Sequence, residues 1–349
     1  MIENRKEEHI RIAEQKEVTS SHNYWDDITL VHRAIPEVDF DEIKTSVAFL
    51  NKKLNYPMII SSMTGGTELA KKINRNLAAA AEKFGIGMGL GSMRAAVEKK
   101  ELEDTFSVIN DFKVPMKIAN IGAPQLLKQG KPAFTNKQID EVFNLIDADF
   151  LAIHFNFLQE MVQPEGDRNS KGILKRLREV AESYPVIAKE TGNGFSHKDA
   201  LNLIDAGVKA IDVGGLGGTS FAAIEYYRAE KVNDREKMRA GLTFWDWGIP
   251  SPASIMECRG KIPVIGSGGL RNGLDLAKAL SLGAKLGGFA RSFLSGADKG
   301  MEELESNINM TIRELKVAML LTGSKKPADL TKARSMITGK LKDWINNDR

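Results

Sequence analysis

The run VIGSGGLRNGLDLAKALSLGA, residues 264–284, decides the fold class. It opens as a short β-branched strand, Val264–Gly266, and turns through the glycines of GSGGL at 266–270. It continues as a helical run behind Asn272 and Asp275, a pair spaced like a capping box. Strand, glycine turn and helix make one β/α unit. Comparable β-rich or Gly-rich runs lie at Met58–Ser62, Ile86–Leu90, Met116–Ile121, Phe150–Phe155, Val186–Glu190, Ala210–Val213 and Leu286–Ala290. Most lack polar alternation, as expected of parallel strands buried on both faces. Between them apolar residues recur at helical spacing, as in Leu69, Ile73, Leu77, Ala81 and Phe84, or Ile173, Leu174, Leu177 and Val180. Ser196 with Asp199 has capping-box spacing, and Ser251 stands as a capping residue before Pro252 at a first helical position.

Eight such units between Met58 and about Leu294 match the length of an α/β TIM (β/α)8 barrel. Residues 1–56 then form an N-terminal extension, 57–299 the barrel with an insertion around 225–262, and 300–349 C-terminal helices packing on it. The composition agrees with one soluble α/β enzyme. Hydrophobic residues are 42% and charged ones 27%, and 49 basic residues against 46 acidic give a net charge of +3. So small a charge excludes an electrostatic nucleic-acid or membrane-surface binder. A single cysteine, Cys258, excludes an intrachain disulfide framework and fits a reducing, cytoplasmic setting. It reads as a small buried hydrophobe rather than a nucleophile. No apolar run reaches the ~18 residues of a membrane span. The charged opening MIENRKEEHIRIAEQKE is not expected to be a signal peptide.

Glycine turns follow several strands: MTGGT at 63–67, GLGS at 89–92, GGLGGTS at 214–220 and GSGGL at 266–270. Glycine lets peptide N–H groups approach an anion closely, and barrel loops after strands seven and eight often hold phosphate. Tight βα turns need glycine in any case, so one such loop alone says little. Four on one rim say more. GGLGGTS lacks the last glycine of GxGxxG, and no GxxxxGK[ST] occurs.

A second constellation, HFNFLQEMVQPEGD at 154–167, ends strand four. His154 and Asn156 share strand parity and point to one side. Gln159 and Glu160 follow in the loop over the mouth. One carboxylate among amides suits Mg²⁺, which usually takes one or two carboxylates with substrate phosphates and water. Lys189, in VIAKETGNG, faces the mouth from the end of strand five. Arg5, Lys6 and His9 make a small cationic group near the N-terminus, which composition alone reads as a solvated tail. Trp245 and Trp247 read as loop anchors.

Taken together these residues resemble the type 2, flavin-dependent isopentenyl-diphosphate isomerase family. The similarity runs through RKEEHI at 5–10, SSMTGG at 61–66, GLGSMR at 89–94, ANIGAPQ at 119–125 and the HFNFLQEMVQPEGD run. VIAKETGNGFS at 186–196, AIDVGGLGGTSFAAIE at 210–225, WGIPSPASI at 247–255 and GGFARSFL at 287–294 complete it. Leu216, Pro252 and Ser292 depart from the family's commoner residues. The resemblance implies interconversion of isopentenyl and dimethylallyl diphosphate with reduced FMN and Mg²⁺, with NADPH as reductant, in a homo-oligomer of four or eight chains. It implies FMN contacts at Ser61, Ser62, Met63, Thr64, Ser92 and Asn120. Lys189 would lie at the ring, and Thr219, Gly268, Gly269, Leu270, Ala290 and Arg291 toward the phosphate. Arg5, Lys6, His9, Ser92, Met93 and Arg94 would hold the substrate, Gln159 would meet it, and Glu160 would bind Mg²⁺. His154 and Asn156 would line the same pocket.

The chemistry makes a flavin useful without net redox change. An alkene is too weakly basic for an ordinary side chain, whereas an electron-rich reduced flavin can serve as acid–base catalyst and stabilise a developing cation. At ~4 Å and an effective dielectric of 20, Lys189 would attract an anionic flavin by roughly 4 kcal/mol, about three pKa units. Two other readings stand beside this one. An FMN-barrel hydroxy-acid oxidoreductase needs a catalytic base, usually a histidine, near strand seven, and no histidine follows His197. A non-catalytic phosphometabolite-binding barrel would bind without turnover.

Overall fold

A computed structural model describes residues 2–163 and 166–347. Eight parallel strands close a barrel in chain order. They are β1 (Met58–Ile60), β2 (Gly87–Gly89), β3 (Lys117–Gly122), β4 (Phe150–Phe155), β5 (Val186–Glu190), β6 (Ala210–Asp212), β7 (Val264–Ser267) and β8 (Leu286–Phe289). Closure is made by β8 on β1, with Gly287 opposite Met58 and Phe289 opposite Ile60.

Strand parity divides the barrel into two storeys. Ile59, Ile118, Phe150, Ala152, Ile187, Ala210, Ile265 and Leu286 pack as one interior cluster. Their neighbours Met58, Ile60, Leu151, Ile153, Val186, Ala188, Ile211 and Val264 join the outer core beneath the helices. Two residues beyond each interior apolar position, the same inward direction is taken by Ser61, Asn120, His154, Lys189, Asp212, Ser267 and Gly288. The lower storey is therefore hydrocarbon and the upper one polar. The bottom is stopped by an antiparallel hairpin, Val47–Phe49 with Lys52–Leu54, whose Phe49 and Leu54 are buried in the lower cluster.

The helices follow local rules. Thr67 caps Glu68–Phe84 by accepting from Ala70 N, and Gly85 ends it in the left-handed region at φ 65°. Ser196 and Asp199 make a reciprocal capping box. Asn272 accepts from Asp275 N, but the Asp275 carboxylate turns to Arg271 (2.8 Å), so the box is half-made. Ser251 departs from expectation. Pro250 holds the cap position and Ser251 lies in the first turn, where its hydroxyl bonds Gly268 O at 2.8 Å and Leu216 O at 3.2 Å. It ties two glycine loops rather than a helix end.

The long stretch after β6 holds helices Phe221–Lys231, Arg235–Thr243 and Ser251–Cys258. Helix Ile2–Gln15 and a strap over residues 16–27 lie across the C-terminal face of the barrel. The strap continues into Ile28–Leu30, which pairs antiparallel with Ser335–Ile337, and Asp27 Oδ2 accepts from Leu341 N at 2.9 Å. Cys258 is buried and burial pushes its thiol up to about 12, the behaviour of a packing residue. Among the described residues no helix is long and apolar enough to cross a membrane.

Candidate active site

A cavity of about 560 Å³ opens at the C-terminal ends of the strands. Its floor carries Ser61, Ser62, Met63 and Thr64 after β1, with Lys189 from β5 and Ser267 from β7. At one end stand Gly217, Gly218 and Thr219 after β6, Gly268, Gly269 and Leu270 after β7, and Ala290 and Arg291 after β8. The other end is bounded by Lys6 and His9 of the N-terminal helix.

The glycine end is a cup made of backbone. Gly268 and Gly269 have φ of +96° and +81°, conformations that other residues rarely adopt. A Cβ on Gly268 would meet Gly215 O at 2.3 Å, and one on Gly218 would meet Gly269 N at 2.5 Å. The two loops thus interlock with no room for side chains. Helix Arg291–Lys299 starts beside them, its N-cap Ala290 making no side-chain cap bond. A helix N-terminus and a glycine cup favour a phosphate for the same reason, exposed peptide N–H groups.

On the floor, Lys189 Nζ lies 3.4 Å from Asp212 Oδ2 and donates to Glu190 O at 2.9 Å. Asp212 also accepts from Ser267 Oγ. The hydroxyls of Ser61 and Thr64 are buried with no protein partner among the described residues. Buried polar atoms are nearly always bonded, so both fit a polar ligand on this floor. At Gly288 and Gly89 a Cβ would come within 2.5 Å of Ser61 Oγ and Ser62 Oγ, so the wall above β1 stays flat. A flat heterocycle with hydrogen-bonding edges and a phosphate tail matches both the floor and the cup. Glu190 faces the other way. Its carboxylate accepts the N–H groups of Thr191 and Asn193 at 2.5 Å each, while burial pushes it up to about 7.

Beyond Lys6 and His9 lies a network of side chains. Lys6 Nζ donates to Ser92 O at 2.7 Å, and His9 Nε2 lies 3.0 Å from Glu225 Oε1. Glu225 is fully buried in helix Phe221–Lys231. It accepts from Gln159 Nε2 at 2.9 Å and Arg228 Nη1 at 2.6 Å. Burial alone would raise its carboxyl. The contact and charge of His9, with Arg228 and Gln159, more than offset that and bring it down to about 2. Asn156 Nδ2 donates to Glu160 Oε1 at 3.0 Å and to Gln159 Oε1 at 3.3 Å. Glu160 accepts further from Asp167 N at 2.8 Å and from Gln163 Nε2. Arg94 reaches Glu98 at 2.9 Å and Asp167 at 3.5 Å. His154 Nδ1 lies 2.8 Å from Asn120 Oδ1, and Asn120 Nδ2 donates to Leu90 O at 3.0 Å.

Most sequence-derived site residues thus gather in two adjoining groups. Thirteen positions, from Lys6 and His9 to Ala290 and Arg291, border the cavity itself. Ser92, Asn120, His154, Asn156, Gln159, Glu160 and Arg94 make the side-chain network beside it. Met93 is buried in the core and contributes its N–H to Asn120 O. The Arg5 side chain, and Pro164 and Glu165 of the 154–167 run, lie outside the described residues. Sequence reasoning missed Glu225 and Asp212, and Asn23 and Trp25 of the strap. Parity with Ala210 would have placed Asp212 inside the barrel, and a lone carboxylate in the apolar run FAAIE is the trace of Glu225. Trp245 acts as the expected loop anchor, its Nε1 donating to Thr19 O at 2.9 Å.

The sequence pattern of FMN-dependent dehydrogenases matches residues 2–108 and 98–337. An isopentenyl-diphosphate delta-isomerase of Picrophilus torridus is 64% identical over 345 residues, 99% of either chain. The protein of the same name from Thermoplasma acidophilum is 63% identical over 345 residues, again 99% of each. The chain belongs to the FMN-dependent, type 2 isopentenyl-diphosphate delta-isomerase family. Among solved structures, a lactate oxidase of Pediococcus acidilactici superposes with a TM-score of 0.60 over 90% of this chain and 84% of its own. At 18% identity that likeness speaks for the FMN-barrel fold alone. Membership in an FMN-dependent family fits a cavity with a flat polar floor and a glycine cup.

Proposed function

We propose that this enzyme interconverts isopentenyl and dimethylallyl diphosphate with reduced FMN and Mg²⁺, and with no net redox change. The observation that carries the reading is the N-terminal helix, whose Lys6 and His9 close the same cavity that ends in the glycine cup. One anion-binding end suits the cofactor and the other suits a diphosphate. Lys6, His9 and Arg94, with Arg5, hold the diphosphate, so that binding remote from the alkene positions it. Gln159 meets the substrate with its amide fixed at both ends, the NH₂ on Glu225 and the carbonyl receiving Asn156.

Glu160 fits a magnesium ligand by donor chemistry. It is a buried carboxylate bonded to Asn156, whose own Oδ1 is buried and without a protein partner among the described residues. No group of three or more His, Cys, Asp or Glu able to hold a metal occurs among the described residues. The ion would therefore rely on substrate phosphate oxygens and water as well. Lys189 holds negative charge on the ring side, tempered by Asp212. Reduced FMN, when bound, supplies the proton donor and acceptor and an electron-rich face. The strap and the N-terminal helix exclude water that would trap a tertiary cation and weaken the electrostatics. NADPH is the reductant we propose, and a cytoplasmic homo-oligomer of four or eight chains the working form.

The test is isomerisation of isopentenyl diphosphate by purified protein with FMN and Mg²⁺ under anaerobic conditions, with and without dithionite. Turnover only after reduction supports the reading. Equal turnover with oxidised flavin overturns the acid–base role. A protein that bleaches but never isomerises, and oxidises a 2-hydroxy acid, belongs functionally with the dehydrogenases.

A further inference from the structure

Three hydrogen bonds run from strap donors to carbonyls of the glycine cup, beside two that run the other way, Ser220 N to Val18 O at 2.7 Å and Arg291 Nη2 to Lys16 O at 3.5 Å. The Ser20 N–H donates to Gly218 O at 2.8 Å, the Asn23 carboxamide to Gly269 O at 3.1 Å, and the Trp25 indole N–H to Gly268 O at 2.9 Å. In a trans peptide the carbonyl and the next N–H point in opposite directions, and no cis bond occurs among the described residues. Fixing these carbonyls on the strap turns the N–H groups of Thr219, Gly269 and Leu270 away from it. None of these three N–H groups donates to a protein acceptor among the described residues, and all three residues line the cavity.

The tether matters because of what flanks it. The peptide between Gly268 and Gly269 has glycine on both sides, so it can turn over at little steric cost. Its direction is set from outside the loop, by the Trp25 indole together with the Ser251 hydroxyl, which bonds Gly268 O at 2.8 Å. Trp25 is fully buried, and its one polar side-chain atom goes to Gly268 O. Asn23 also accepts from Trp25 N at 3.0 Å, so the two residues brace each other.

We propose that Asn23 and Trp25 are positioning residues that aim the Gly269 and Leu270 N–H groups at a phosphate monoester, making the strap a determinant of selectivity for FMN over riboflavin. This rests on the flavin reading of the cavity. N–H groups held toward a charged acceptor form stronger bonds than neutral pairs and need no reorganisation on binding.

The experiment titrates full-length apoprotein with FMN and with riboflavin separately, following flavin fluorescence, for wild type, Asn23→Ala and Trp25→Phe. Wild type is expected to bind FMN about 100-fold tighter or more, and each variant to shrink that ratio about tenfold with riboflavin affinity nearly unchanged. An unchanged ratio in both variants overturns the positioning role. Equal losses for both flavins also overturn it, since general loosening would act on the ring as well. Wild type that binds the two flavins equally sinks the phosphate-cup reading, and this proposal with it. Should Trp25→Phe fail to fold, Asn23→Ala still decides, because its side chain meets only Gly269 O and Trp25 N in the strap–cup contact.

Discussion

At the glycine end of the cavity, open peptide N–H donors stand with Thr219 and Arg291, and Asn23, Trp25 and Ser251 hold the backbone behind them. At the opposite end, beyond His9, the facing groups are side chains, and two buried carboxylates, Glu225 and Glu160, hold several of them. The first arrangement is rigid because loops interlock, with Gly268 against Gly215 and Gly218 against Gly269. The second is rigid because charges and amides pair in a low-dielectric setting. Backbone sites tolerate the loss of a supporting hydroxyl but not the gain of a methyl. Side-chain networks behave in the opposite way.

Four substitutions probe that contrast. Glu160→Gln is expected to lower Mg²⁺-dependent turnover about 1000-fold, several kcal/mol of transition-state stabilisation, while FMN content stays unchanged. Loss of flavin in this variant would mean the two ends are not separable. Glu225→Gln should cost about 3 kcal/mol at pH 7, because a carboxyl brought from 4.5 to about 2 favours the folded state. That contribution is fully present above about pH 4.5 and is lost as pH falls toward 2. Urea unfolding from pH 7 to pH 2 should therefore show the two proteins converging at the acid end. A gap that stays constant with pH would assign the loss to packing instead.

Gly268→Ala places a Cβ 2.3 Å from Gly215 O at a φ of +96°. A cost of about 2–3 kcal/mol is expected, read as weaker FMN retention with Mg²⁺ dependence intact. Ser251→Ala removes the hydroxyl bonded to Gly268 O and Leu216 O, and should cost only about 1 kcal/mol, visible as a few-fold rise in FMN Kd. If Ser251→Ala proved as damaging as Gly268→Ala, loop interlock would not be what keeps the cup rigid.

The same contrast explains what could be read in the sequence. The barrel was legible because each strand is a short apolar run closed by a turn, and the cup because only glycine satisfies its backbone. His154 and Asn156 were placed on one side by parity, and Lys189 at the mouth by its position at a strand end. Glu225 was not, since its importance comes from three partners at Gln159, His9 and Arg228, two of them far away in sequence. Asn23 and Trp25 were missed for a related reason. They lie in a segment with no periodic pattern, and act through carbonyl groups that the sequence cannot mark. Ser251 was misjudged because Ser-Pro spacing suits a cap, while the tertiary pull of Gly268 O gave its hydroxyl another partner.

The pairing of Ile28–Leu30 with Ser335–Ile337, and of Asp27 with Leu341, gives the strap an order in time. A ribosome releases the glycines of the cup well before it makes the strand that seats the strap. A nascent chain arrested before Ser335 would own every loop of the cup, yet lack the strand that pairs Ile28–Leu30 and the Leu341 N–H that Asp27 accepts. Full seating of the strap thus belongs to the finished chain, with its last contacts made by the last residues synthesised.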